Sequence, residues 1–390
     1  MDMTESPSLS ALRNTVREWV MANRVEDADA PYSYTGLEDD EADQRWYKKL
    51  AAKRWLAYRW PEQWAGPGFS PSEQIVFVDA LRNCGVPVPR GFGISMVGPL
   101  LLEFGTDWQK ERFLRPIAEH REFWCQGYSE PNAGSDLASL QTRAEIDGDE
   151  FIVNGQKIWT SRANLADWIF ALVRTSTDGP PQRGISFLLI DMKTPGVSIR
   201  PIQQIDGQAG FYETFFDNVR VPMQNLVGGI NEGWTMAKAL LAYERSSTGE
   251  GVDPARLVST IKSIARRYEQ DGRPILEDSS FRQRLAQLEM DADGLRYTRY
   301  RLLTAVMQGR TPGPEASIFK LYQSELCQGL YDLACEAMGP DAATWYDERL
   351  APEAYDVPMQ MTMTRAMSIY SGSNEIQRNI IAKRVLGLPD

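Results

Sequence analysis

Hydrophobic positions in the first third of the chain recur at three- and four-residue steps. In "LSALRNTVREWV", Leu9, Leu12, Val16 and Trp19 share one face at about 100° per residue, which predicts an amphipathic helix. The helical period holds from Ser8 to about Glu119, broken by Pro61, Gly66, Pro67, Gly68 and Pro71, which predict a loop before another helix. Near Arg121 the pattern changes. "RAEIDGDEFIVNGQKIWTS" reads as two strands joined through Asp147-Gly148, "WIFALV" and "GISFLLIDM" read as buried strands, and "YETFFDNVRVP" adds another. After Gly233 the helical period returns in "WTMAKALLAYERSS", in "FRQRLAQLEMDADGLRYTRYRLLTAVMQ" and from Ile318 to Met338. A last helix is predicted with Ser373 or Asn374 as its cap, Ile376, Ile380 and Ile381 as its apolar stripe, and Gly387 and Pro389 as its end. The expected fold class is α+β: a helical domain over 1–120, a β domain over 121–233 and a helical domain over 234–390.

The 390 residues, 43% hydrophobic, suffice for a large core. A formal net charge of -11 argues against a polyanionic partner, so nucleic acid is not expected. No apolar run approaches the roughly 20 residues that span a bilayer, and "MDMTESPSLS" is too acidic and polar for a cleavable leader, so no membrane insertion and a cytoplasmic location are expected. Cys84, Cys125, Cys327 and Cys335 form no CxxC pair, and His120 is the only histidine. Neither a zinc site nor a Ser-His triad is readily built from these, no metal is expected, and the cysteines read as reduced packing residues.

The chain also lacks a Walker loop, a GxGxxG turn and a GxSxG elbow. Chemistry here must rest on carboxylates or on an organic cofactor. Two stretches suit the second. "GYSEPNAGSD" (127–136) surrounds Glu130-Pro131 with small residues and hydroxyls, so that backbone can approach a flat heterocycle or a phosphate. "NGQKIWTS" (154–161) offers Trp159 as a stacking face and Ser161 as a donor. Each alone also reads as an ordinary turn or a core residue.

Together with "FFDNVRVP", Asn225, Gly228 and "GSNEIQRNIIAKRVLGLP", in the order helices, β domain, helices, these motifs resemble the flavin-dependent acyl-CoA dehydrogenases over essentially the whole chain. The resemblance implies that family's architecture: an N-terminal helical domain, a middle β-barrel or sandwich and a C-terminal four-helix bundle, with FAD between the last two. It implies removal of the α-proton of an acyl-CoA thioester by a carboxylate while the β-hydrogen leaves as hydride, giving a trans-2-enoyl-CoA. It further implies that Tyr128 and Ser129 contact the flavin ring or its ribityl edge, that Trp159 lies beside the ring, that Ser161 bonds near N5, and that Ser135 touches the CoA portion. Ser373 and Glu375 are implied to hold the flavin from the last helix's N-terminus, although Glu375 reads equally as an ordinary cap.

Many members carry the catalytic Glu in the tetrapeptide that here reads Tyr370-Ser371-Gly372-Ser373. Ser371 is far too weak a base for this proton. A second family pattern sets a Glu before an Arg on the first long helix of the C-terminal domain, and "ALLAYERSS" matches it with Glu244 as base and Arg245 toward the CoA portion. Met236, Leu240 and Tyr243 share an apolar stripe there, and Glu244 lies about 80° from Met236, at its border.

Two departures accompany this. Family homotetramers complete each flavin site with an Arg-x-x-x-Gly and a Gln-x-x-Gly-Gly element of the neighbouring subunit, whereas this chain has Tyr268 at the Arg position before Gly272, and Glu336 and Pro340 in place of Gln and the second Gly. A carboxylate there would repel a pyrophosphate. The expectation is an α2β2 assembly with a second acyl-CoA dehydrogenase-like subunit, the chain resembling the α subunit of bacterial enzymes acting on steroid side-chain CoA thioesters, with an electron-transferring flavoprotein as acceptor. A homotetramer acting on fatty or branched acyl-CoA, a flavin monooxygenase or oxidase on the same fold, and a non-catalytic subunit stay open as alternatives.

Overall fold

Capping residues write the helix starts into the first third of the chain. The Ser70 hydroxyl accepts from the Glu73 backbone N–H at 3.3 Å while Ser70 N–H donates to the Glu73 carboxylate at 2.8 Å, with Pro71 at the first helical position. Thr106 and Gln109 repeat this reciprocal pairing at 3.2 and 3.0 Å. The structure, a computed structural model, describes residues 6–25, 41–247, 254–307, 313–345, 347 and 349–389; for 41–43, 242–247, 303, 306 and 307 only the backbone is described.

The chain packs as two compact units that divide after Glu244. The first begins with α1 (Pro7–Asn23), α2 (Glu41–Ala52), α3 (Pro71–Asn83), α4 (Gly98–Phe104) and α5 (Asp107–Ala118). A single turn of π-helix, Gly93–Val97, precedes α4. Then come β1 (Trp124–Gly127), β2 (Arg143–Asp147), β3 (Glu150–Ser161), β4 (Trp168–Arg174), β5 (Ile185–Asp191), β6 (Val197–Ile202), β7 (Phe211–Pro222) and β8 (Leu226–Val227), and last α6 (Gly233–Ser247). The strands form one sheet in the order β6-β7-β3-β2-β4-β5-β8, with β1 parallel to β4. The β2–β3 hairpin turns on Gly148-Asp149, and Gly148 takes φ +65°, as a two-residue loop between right-twisted strands requires.

One apolar core runs from Val16, Trp46 and Phe77 through Phe113 and Trp124 to Phe170, Phe187, Met236 and Leu240, so helices, sheet and the start of α6 share it. Alternation along β4 explains how: Phe170 and Leu172 face this core, while Ile169, Ala171 and Val173 face a second one enclosed by the sheet with Phe151, Val153, Leu188 and Val219. Gln109 adds a polar tie, donating at 2.8 Å to the carbonyls of both Gln224 and Leu226.

The second unit holds α7 (Pro254–Arg267), the short pair β9 (Glu269–Gln270) and β10 (Arg273–Pro274), α8 (Ser279–Met307), α9 (Ala316–Met338), α10 (Val357–Met367) and α11 (Asn374–Ile380). Helix α9 is central and packs against α7, α8, α10 and α11. Ile261, Ile264, Phe281, Leu326, Leu330 and Ala334 are among the side chains of its core.

His120 ends α5. It takes φ +57° just past the Glu119 cap, its N–H bonds to Ile117 O at 3.1 Å and Arg121 N–H to Pro116 O at 2.9 Å, the hydrogen-bond pattern of a left-handed helix stop. Its ring packs edge-on against Tyr47 and Phe123 and bonds Gln44 at 2.7 Å. Burial, helped by the charge of Lys48, lowers its pKa to about 4. The unfolded chain therefore takes up this proton first, so stability is complete above about pH 6.5 and drains as pH falls toward 4, by at most about 3 kcal/mol. Asn tolerates the left-handed conformation without titrating. The stability gap between the parent chain and His120→Asn is expected to narrow between pH 7.5 and 4.5, as measured by urea unfolding.

Candidate functional site

The two motif stretches meet through an ion pair. Lys157 is fully buried in β3, and its Nζ donates to Glu130 Oε1 at 2.7 Å and to Tyr128 O at 3.2 Å. Glu130, also buried, accepts the backbone N–H groups of Gln141 at 2.6 Å and Thr142 at 2.9 Å. Burial alone would raise the Glu130 pKa, but the Lys157 charge and these hydrogen bonds bring it below the ordinary carboxylate value. Burial lowers the Lys157 pKa to about 8 against the opposing pull of Glu130. At pH 7 both groups are ionised. Between them, Ile158 N–H bonds Ser129 O at 2.9 Å, and Glu130 and Ala133 exchange a two-bond bridge at 2.9 and 3.0 Å.

Trp159 stands just beyond this clamp. The β3–β7 register slips between Lys157 and Thr160, and at the slip Trp159 takes φ +60° with 56% of its surface exposed. A bulky residue in the left-handed region is rare and strained, and an exposed indole gains little from burial, so packing alone does not account for this position. Phe211 meets the indole edge-on at 6.0 Å.

Of the residues the resemblance singles out, the first unit brings Tyr128, Ser129, Trp159 and Ser161 onto these paired segments. Ser129 and Ser161 are half-buried. The Tyr128 ring is buried and meets Phe170 and Phe187 edge-on at 6.0 and 6.4 Å. Ser135 is exposed on the loop after Ala133. Glu244 and Arg245 lie on α6 near its C-terminal end, and their side chains fall outside the described residues. Met236, Ala237 and Leu240 are buried on α6; Tyr243's side chain is likewise not described.

Ser373 and Glu375 belong to the second unit. Ser373 is the cap of α11, its hydroxyl accepting from Ile376 N–H at 3.4 Å. Asn374, the other expected cap, is instead buried: its side-chain oxygen accepts from Lys320 Nζ at 2.9 Å and its amide donates to Ser324 Oγ at 3.0 Å. Gln328, one turn further along α9, donates to Thr364 O at 2.9 Å. Lys320, Ser324 and Gln328 thus form a polar ladder on α9, and Asn374 docks on it. The expected stripe Ile376, Ile380 and Ile381 is only half-buried for that reason. Ser371 and Gly372 both take positive φ, at 55° and 79°, and Gln377 Nε2 closes their turn by donating to both carbonyls at 3.0 and 3.2 Å. Glu375 is exposed, its pKa lowered by its own backbone N–H and by the Ser373 hydroxyl.

The two departures are tied up within this unit. Glu336 pairs with Arg284, one contact at 2.7 Å, which holds its carboxyl below the ordinary range. Burial and a hydrogen bond to Asp341 raise the Tyr268 pKa. The expected repulsion at Glu336 is therefore met by a local cation.

Sequence reasoning passed over Lys157, although it sits inside a quoted motif. Its signal is register: Phe151, Val153 and Lys157 alternate inward along β3, so this Lys must be buried, and a buried Lys needs a partner. Among the described residues, no group of His, Cys, Asp and Glu could hold a metal ion, and no helix is long and apolar enough to cross a membrane.

Known proteins share this design. Three acyl-CoA dehydrogenase family models match in succession: the N-terminal domain over residues 6–121, the middle domain over 125–219 and the C-terminal domain over 231–386. Acyl-CoA dehydrogenase IpdE1 of Mycobacterium tuberculosis (strain ATCC 25618 / H37Rv) is 40% identical over 363 residues, covering 91% of this chain and 90% of that protein. Acyl-CoA dehydrogenase FadE26 of the same strain is 35% identical over 348 residues, covering 86% and 85%. The solved "Tcur3481-Tcur3483 steroid ACAD" superposes with a TM-score of 0.84 at 31% identity, covering 100% of both chains. The ChsE4-ChsE5 complex from Mycobacterium tuberculosis gives 0.82 at 29%, again covering 100% of both. The helices-sheet-helices plan is that of the acyl-CoA dehydrogenases. The chain belongs to the acyl-CoA dehydrogenase family, oxidoreductases acting on CH–CH bonds.

The first unit's residues fit a flavin: an exposed indole for a flat ring, with the half-buried Ser129 and Ser161 on the same paired segments. Replacing Lys157 alone by Met leaves the Glu130 carboxylate buried without its cation. Lys157→Met is expected to cost about 3–5 kcal/mol of stability, checked by the denaturant midpoint against the parent chain.

Proposed function

We propose that the chain catalyses FAD-dependent α,β-dehydrogenation of an acyl-CoA thioester, with a steroid side-chain CoA thioester as substrate, and that a second acyl-CoA dehydrogenase-like subunit completes the flavin site. The observation that carries this reading is the exposed, left-handed Trp159 held beside Ser129 and Ser161 in a chain matched to the family from end to end. In this reading Trp159 flanks the flavin ring, Ser161 bonds near N5, and Tyr128 and Ser129 bound the ring edge. Ser373 and Glu375 hold the cofactor at the start of α11, and Ser135 and Arg245 meet the CoA portion. Bound FAD supplies a two-electron acceptor for the β-hydrogen as hydride.

Glu244 takes the α-proton, so the C–H pair leaves as proton and hydride and the C=C bond forms between the same carbons. On a helical wheel at about 100° per residue, position 244 falls about 40° from Leu240 and about 20° from Ala237, both buried. An electron-transferring flavoprotein would serve as the final electron acceptor.

The steroid assignment rests on likeness to the "Tcur3481-Tcur3483 steroid ACAD", and the partner on likeness to that pair and to the ChsE4-ChsE5 complex. Tyr268 and Glu336 support it as well, since both side chains are engaged within the chain, with Asp341 and Arg284, where the family resemblance implies cofactor contacts to a neighbour.

The test is the visible spectrum and mass of the purified chain, alone and co-expressed with an acyl-CoA dehydrogenase-like chain of its organism. Flavin only in the mixed assembly is expected; a yellow homotetramer from the chain alone would overturn the partner. In the flavin-loaded assembly, Glu244→Gln is expected to lower the rate of flavin bleaching by a steroid side-chain CoA thioester by about 10²- to 10⁴-fold. An unchanged rate removes Glu244 as base.

A further inference from the structure

Trp159 holds an unfavourable backbone angle that its own burial does not repay. Something else must hold it, and the nearest over-determined element is two residues away. Lys157 Nζ fixes Tyr128 O and the Glu130 carboxylate, Ile158 N–H fixes Ser129 O, and Thr142 Oγ1 donates to Gln156 O at 3.1 Å. Behind this point Gly155 takes φ +145°, and a Cβ there would sit 2.7 Å from the Thr142 Cα. The register slips on both sides of this point, between Val153 and Gly155 and between Lys157 and Thr160, so the two irregularities of β3 bracket Gln156-Lys157. The bulge that re-aims Trp159 is thus built around one buried cation.

We infer that the Glu130–Lys157 pair is a positioning element: it fixes the bulge that turns Trp159 outward and, through the same ammonium, the Tyr128–Ser129 backbone, so that the two flavin-facing segments move as one piece. Neither residue touches the reacting atoms. The inference rests on the flavin reading above for its catalytic consequence, whereas the clamp itself is a property of the chain alone.

The two can be tested apart with the double variant E130Q/K157M, which removes both charges while keeping similar volumes. Removing both charges together leaves neither one buried alone, so the variant is expected to lose less stability than Lys157→Met. In the full-length chain labelled with 5-fluorotryptophan, the Trp159 resonance, identified by its absence in W159F, is expected to shift and to broaden or split as the indole samples several conformations. In the flavin-loaded protein the rate of flavin reduction is expected to fall about 100-fold, the scale set by a displacement of about 1 Å. A Trp159 resonance unchanged in position and width, together with an unchanged reduction rate, overturns the inference. If the double variant does not fold, E130Q alone carries the same comparison, because it removes the charge and replaces one of the two buried acceptor oxygens by an amide donor. Should the parent bind no flavin in any assembly, the proposed function fails, and the Trp159 resonance in the flavin-free chain still decides the clamp.

Discussion

A lysine ammonium buried inside a β-sheet is costly unless its surroundings answer it, and here they do. Lys157 is satisfied by Glu130 and by Tyr128 O, and Glu130 by two backbone N–H groups besides. That demand joins two segments almost thirty residues apart and leaves little freedom in how they meet. The site's residues in the first unit hang from this joint: Tyr128 and Ser129 on one side, Trp159 and Ser161 on the other. The surrounding apolar core is large but non-directional; it holds the sheet against the helices, whereas the ion pair fixes a local geometry to within hydrogen-bond tolerance.

The same division of labour appears in the second unit. Its helices pack through aliphatic and aromatic side chains, but the turn at 371–377 is held by amides and a ladder of polar groups on α9. Apolar faces supply most of the stability of such helices, and buried polar contacts choose which residue sits where. Ser371 illustrates the result: its turn is closed by Gln377.

Much of this was legible in advance. Helical and alternating periods located the helices and strands because each element buries one face, and that face is visible in a single sequence. The hairpin at Gly148 was readable because only a few residue types accept its backbone angle. The shared core was less legible, since what unites α1–α5, the sheet and α6 is built from contacts between residues far apart in sequence, which no local pattern records. The last helix misled for a related reason. Its isoleucines have the right spacing, but Asn374 and Gln377 occupy the buried positions: α9 offers Asn374 the side chains of Lys320 and Ser324, residues some fifty positions away, and Gln377 closes the turn at Ser371 and Gly372. Lys157 was visible as a letter and not as a role until its register on β3 was known. Tyr268 and Glu336 were visible as departures, and their present engagements with Asp341 and Arg284 came only from the fold.

Trp159 sets two selective pressures against each other. Glycine is the residue its backbone angle prefers, and an indole more than half exposed returns little stability in exchange for the strain. Only a use for that indole keeps it there. Losing the tryptophan would relieve the backbone at this position.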